Sequence, residues 1–81
     1  MNAALSCIED TIRLLLDEAR EANETALAKR GTPEEAFVVG RSQALTESLH
    51  TWSNQLRTFD LERELAGVEV ELRSYLASQG Y

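Results

Sequence analysis

The chain is predicted to be all-α: an antiparallel helical hairpin plus a third helix, forming either a small three-helix bundle or a hairpin that pairs into a dimer. Three observations carry this. Apolar residues recur at steps of three and four through most of the 81 residues. Only 4 Gly and 1 Pro are present, too little punctuation for an all-β chain of many turns. The clearest breaks, around Gly31-Thr32-Pro33 and at Gly80, fall where the apolar periodicity pauses.

The first helix spans about residues 3–30. Leu5, Ile8, Ile12, Leu15, Ala19, Ala22 and Ala26 form one stripe that tapers from large side chains to alanines. Lys29 and Arg30 complement the negative end of the helix dipole, and Gly31 is a natural C-cap. Thr32-Pro33-Glu34-Glu35 then reads as a helix start: Thr32 as N-cap, Pro33 in the first helical position, Glu35 closing a capping box. The second helix, about 33–58, carries Val38, Leu45, Leu49, Trp52, Leu56 and Phe59, with Ser42 as the one polar gap in the stripe. The tight turn makes these two helices an antiparallel hairpin with arms on the order of 40 Å long. The third helix, about 60–79, starts at a capping Asp60, or continues the second helix through a bend there. It carries Leu61, Leu65, Val68, Leu72 and Tyr75, and Gly67 inside it costs about 1 kcal/mol relative to Ala. No linker divides the chain, so it is one domain, too short for a barrel or a doubly wound sheet.

Eight Lys+Arg against 14 Asp+Glu leave a formal charge of −6, an unfavourable balance for direct contact with nucleic acid. Half of the excess lies in residues 60–81. With Leu65 and Leu72 as a positions and Leu61 and Val68 as d, Glu62 and Glu69 fall at e and Glu64 and Glu71 at g. Carboxylates on both flanks of the seam oppose self-pairing of this helix and suit a basic partner or an Arg-bearing surface. The second helix is the opposite case. From Ser42 to Leu56 its only charged residue is Glu47, the remaining polar positions being Ser, Thr, Asn, Gln and His50. Charges are missing where a helix meets protein on more than one side. Leu45, Leu49, Trp52, Leu56 and Phe59 are therefore candidates for an interface, with Trp52 as its hot spot or as the anchor of the monomer core. Gly40 and Ala44 offer a small-residue patch for close helix approach.

Catalytic signatures are missing: there is no P-loop, GxGxxG, GxSxG, HExxH or paired CxxC. The single Cys7 excludes an internal disulfide framework and a cysteine-rich zinc site, and reads as a semi-buried small hydrophobe in a reducing cytoplasm. Neither a secretory leader nor a membrane span is expected. One metal-ligand spacing stands out. Glu47-Ser48-Leu49-His50 is Glu-x-x-His, which in di-iron carboxylate bundles joins a glutamate from a facing helix. Asp17 or Glu18 on the opposite arm, doubled in a homodimer, would complete the set; in these residues alone the chain resembles minimal ferritin-like hairpins. The favoured expectation is nevertheless a non-enzymatic, cofactor-free protein-binding module that occupies a partner's surface. Regulators, chaperone- or immunity-type proteins and phage or mobile-element anti-defence inhibitors work in this way. The partner would be another protein, one with a basic, nucleic-acid-binding surface if the acidic face is used, and the chain itself is expected to form a homo-oligomer.

Overall fold

In the computed structural model, which describes residues 2–81, three helices follow one another: α1 (Ala3–Ala28), α2 (Glu35–Thr58) and α3 (Ala66–Ser78). There is no strand among the described residues, and no helix long and apolar enough to cross a membrane. Asn2, in extended conformation, caps α1 by accepting the Leu5 N–H on its side-chain oxygen at 2.8 Å. α1 and α2 run antiparallel, with Asn23 beside Ser42. α3 runs parallel to α1, since Arg13 meets Glu71 and Asn23 meets Tyr75. At 13 residues α3 is half the length of α1, so it covers one side of the hairpin over only part of its length. The body measures 45 × 23 × 15 Å.

The termini of the helices depart from expectation in three places. α1 ends at Ala28, and a turn closed by the Thr32 N–H on the Lys29 carbonyl follows, with Gly31 at φ 79°. In that turn the Thr32 hydroxyl donates to the Lys29 carbonyl instead of capping α2. The Glu35 carboxylate does reach back, but to the Gly31 N–H. The capping box is thus replaced by a turn that uses the same residues, and regular α2 begins two residues later than expected. Asp60, expected to start the third helix, instead ends the second. It sits at φ 57°, with its N–H on the Arg57 carbonyl and the Leu61 N–H on the Leu56 carbonyl, the two bonds of a Schellman motif. Residues 61–65 form a turn, and α3 starts only at Ala66. The same motif closes α3: Gly80 is at φ 93°, and the Tyr81 N–H reaches the Leu76 carbonyl.

The core lies where the three helices meet. Ile12, Leu16, Ala19 and Ala22 come from α1, Leu49 and Leu56 from α2, and Leu65, Val68, Leu72, Tyr75 and Leu76 from α3 and the turn before it. At the hairpin end of the core the packing turns polar. The Tyr75 hydroxyl lies 2.8 Å from Thr46 Oγ1 and 3.1 Å from Asn23 Nδ2, while Ser42 Oγ donates to Asn23 Oδ1. Ser42 and Thr46 are buried, so these four side chains satisfy one another inside the bundle and tie all three helices together. The alanine taper of α1 makes room here: Ala19 and Ala22 are buried and let the neighbouring helices lie close.

Candidate interaction surface

α2 has two neighbours, and its buried line follows from that. The line runs Ser42, Thr46, Leu49, Leu56, facing the junction of α1 and α3. Leu45 and Trp52 lie on its flank, half-buried against the core, and Phe59, in the last turn, is 68% exposed. The five residues expected at an interface therefore divide. Leu49 and Leu56 belong to the monomer core, whereas Leu45, Trp52 and Phe59 border the side of the hairpin that α3 leaves uncovered. Trp52 packs on the core and also lines a surface groove.

That groove, about 510 Å³, is lined by Ile8, Trp52, Gln55, Leu56, Phe59 and Leu61. The Schellman turn at Asp60 builds it, because the motif folds Leu61 back over Leu56. A shallower depression of about 380 Å³ continues along α2 between Ser48, Thr51, Trp52 and Gln55. Further along the helix, Phe37 stands 75% exposed. No acid lines either concavity.

The acidic residues are arranged differently from the expected double flank. Glu62, half-buried, and Glu64, exposed, lie in the turn before α3, so the heptad positions read for them do not apply. Glu69 is held by its own helix: its carboxylate takes two bonds from Arg73 Nη2, at 2.6 and 2.7 Å. Glu71 pairs across the bundle with Arg13 at 2.9 Å. Each pairing raises the pKa of its arginine, first through the hydrogen bond and then through the carboxylate's charge. Two of the four carboxylates are thus neutralised within the chain. Among the described residues Glu62 and Glu64 make no ion pair. The Arg-bearing surface that α3 was expected to need is α1 of its own chain.

The residues with metal-ligand spacing do not converge. Asp17, Glu18 and Glu47 are exposed, and the half-buried His50 ring lies against Tyr81, with centroids 4.6 Å apart at 42°. Among the described residues no group of three or more His, Cys, Asp or Glu side chains is placed to hold a metal ion. Cys7 is exposed, contrary to the semi-buried expectation, because it falls on the opposite face from the Leu5, Ile8, Ile12 stripe. A Cβ added at Gly40 would meet nothing within 4 Å, so no close helix approach occurs there within the chain.

The network of Asn23, Ser42, Thr46 and Tyr75 escaped sequence reading. Its one visible signal was Ser42, the polar gap in an apolar stripe, with Thr46 one turn further along the same face. Comparison with known proteins adds no assignment: no family model, no curated protein and no solved structure significantly matches the chain.

Proposed function

We propose that this chain is a non-catalytic protein-binding module whose output is the occupation of another protein's surface, as in small regulators, chaperone- or immunity-type proteins and anti-defence inhibitors of mobile elements. The supporting observation is the uncovered side of the hairpin, where Trp52 and Phe59 border an apolar groove on a nearly uncharged helix. A face of this kind gains from being desolvated, whereas a solvated surface would carry Lys and Glu there. Glu62 and Glu64 sit just beyond it, on the turn that follows α2, and would add attraction for a basic partner surface and raise the association rate.

The test is affinity capture from the native host's lysate with three baits: the wild type, Phe59→Ser, and the reversal to Lys of Glu62 and Glu64, which make no ion pair among the described residues. Phe59 is exposed, so its replacement leaves the fold intact. Loss of the captured protein with Phe59→Ser places the contact on the hairpin face, and loss with the charge reversal alone places it on the acidic residues. Capture that survives both changes refutes the reading.

A further inference from the structure

We infer that the occupant of the hairpin face is a second copy of this chain, packed α2 against α2 about a twofold axis at Ser48. Phe37 of each copy fills the groove between Trp52 and Phe59 of the other. The inference rests on reading that face as a protein-docking surface, and it names the partner.

The first argument is the symmetry of the helix itself. Ser48 is flanked at equal distances by Ala44 and Trp52, then by Arg41 and Gln55, then by Phe37 and Phe59. All of these follow steps of three and four along one face of the helix. A twofold axis at Ser48 sets each member of a pair opposite the other member in the second copy, as an isologous interface requires. The pairs are complementary. The large Trp52 meets the small Ala44, the cation Arg41 meets a neutral amide instead of another cation, and the smallest polar side chain lies on the axis, where two identical residues touch. The same operation brings Phe37, the most exposed of the large apolar residues at 75%, onto the groove beside Phe59. Knob and hole are thus on one face, about 16 Å to either side of the axis at 1.5 Å per residue.

Charge makes the choice of face. Each copy carries −6, and six acids against two arginines on α1 oppose approach of two copies there, whereas the two acids and two arginines of α2 cancel. The Ser48 strip holds one charged residue, Arg41, and it is positive. The area makes it a weak dimer: the face of α2 is about 36 Å long and about 10 Å wide, on the order of 360 Å² per copy, against about 800 Å² per partner in standard stable interfaces.

The test is sedimentation of the full chain over about 10–500 µM, a range that spans the Kd expected of a weak, small interface. The wild type is expected to approach twice 9.1 kDa at the top of that range. Phe37→Glu and Ala44→Arg, both at exposed positions, should weaken the dimer at least about 30-fold without loss of helicity. In a Cys7→Ser background, Ser48→Cys should oxidise to a covalent dimer, while Gln43→Cys on another exposed face should not. A wild type that sediments at 9.1 kDa over the whole range overturns the inference, as does a dimer indifferent to both Phe37→Glu and Ala44→Arg. The capture experiment is read on a foreign protein, so a monomer that still captures its partner through Phe59 refutes the second copy and leaves the module reading standing.

Discussion

Replacing Tyr75 by Phe removes one oxygen atom from the polar end of the core and tests whether the four-residue network holds the bundle together. The ring stays in place, so no cavity larger than a hydroxyl is made. Two hydrogen bonds go: the one from Asn23 Nδ2 at 3.1 Å and the one shared with Thr46 at 2.8 Å. At about 1 kcal/mol net for each, the loss is about 2 kcal/mol. Thr46 is 6% exposed and left without this partner, which pushes the figure up. Its hydroxyl can turn to the carbonyl one helical turn back, which limits the rise, so about 1.5–3 kcal/mol is expected. For a chain of this length that is a fall in Tm of about 6–24 °C. Thermal and urea unfolding followed by circular dichroism measure it, with the urea slope unchanged because the surface exposed on unfolding is the same. A loss under about 0.5 kcal/mol would refute the reasoning. A cycle with Ser42→Ala provides an independent check, because both side chains act on Asn23. Additive losses would show that the four groups do not behave as a network. Removing both sides of one contact, as Tyr75→Phe with Thr46→Val, should recover part of the stability, since no buried group is then left unpaired.

Other outcomes follow from the backbone and the surface. Gly40→Ala should raise stability by about 1 kcal/mol, since Gly40 is inside α2 and the new methyl meets nothing; a lower Tm would contradict this. At Gly67 the added Cβ would have Arg13 Nη2 at 3.6 Å as its nearest contact, so Gly67→Ala should give a smaller gain of the same sign by the same measurement. Asp60 holds a left-handed conformation, so Asp60→Gly should stabilise by about 0.5–1 kcal/mol and Asp60→Val should destabilise by more. The reverse order in urea midpoints would exclude the Schellman termination of α2. Arg13→Ala and Glu71→Ala should each cost under about 1 kcal/mol at low salt and almost nothing at 1 M NaCl, because the paired side chains are 42% and 44% exposed.

Much of the fold was legible because its signals are local. Val68, Leu72 and Tyr75 turn inward as their spacing implied, and Leu61 and Leu65 do so from the turn before the helix. Gly80 ends α3 in left-handed conformation, while Gly31 takes it in the turn after α1. The misreadings are of another kind. Thr32 and Asp60 are both good N-caps and good turn residues, and their side chains or backbone serve a turn here because a neighbouring segment offers a partner for it. The acidic seam assigned to Glu62, Glu64, Glu69 and Glu71 dissolved once the helix was found to start at Ala66 and two arginines to pair with it. Arg13 is 58 residues away from Glu71, and nothing local connects them.

The candidate surface shows the same division. An almost uncharged second helix was visible in the residues themselves, because desolvation forbids long charged side chains wherever a helix is covered. Which of its apolar residues would be covered was not visible. A stripe at steps of three and four gives a face roughly a third of the helix's circumference wide and leaves its rotation open by a step. The sequence by itself thus determined three helices and the poverty of charge on α2, since periodicity and desolvation act over a few residues. Only the tertiary structure decided that Leu49 and Leu56 are core while Phe59 and Phe37 are surface, and that Ser42 and Thr46 meet Asn23 and Tyr75. The rotation of α2 is set by α1 and α3 together, and their joint contact is a sum over residues far apart in the chain.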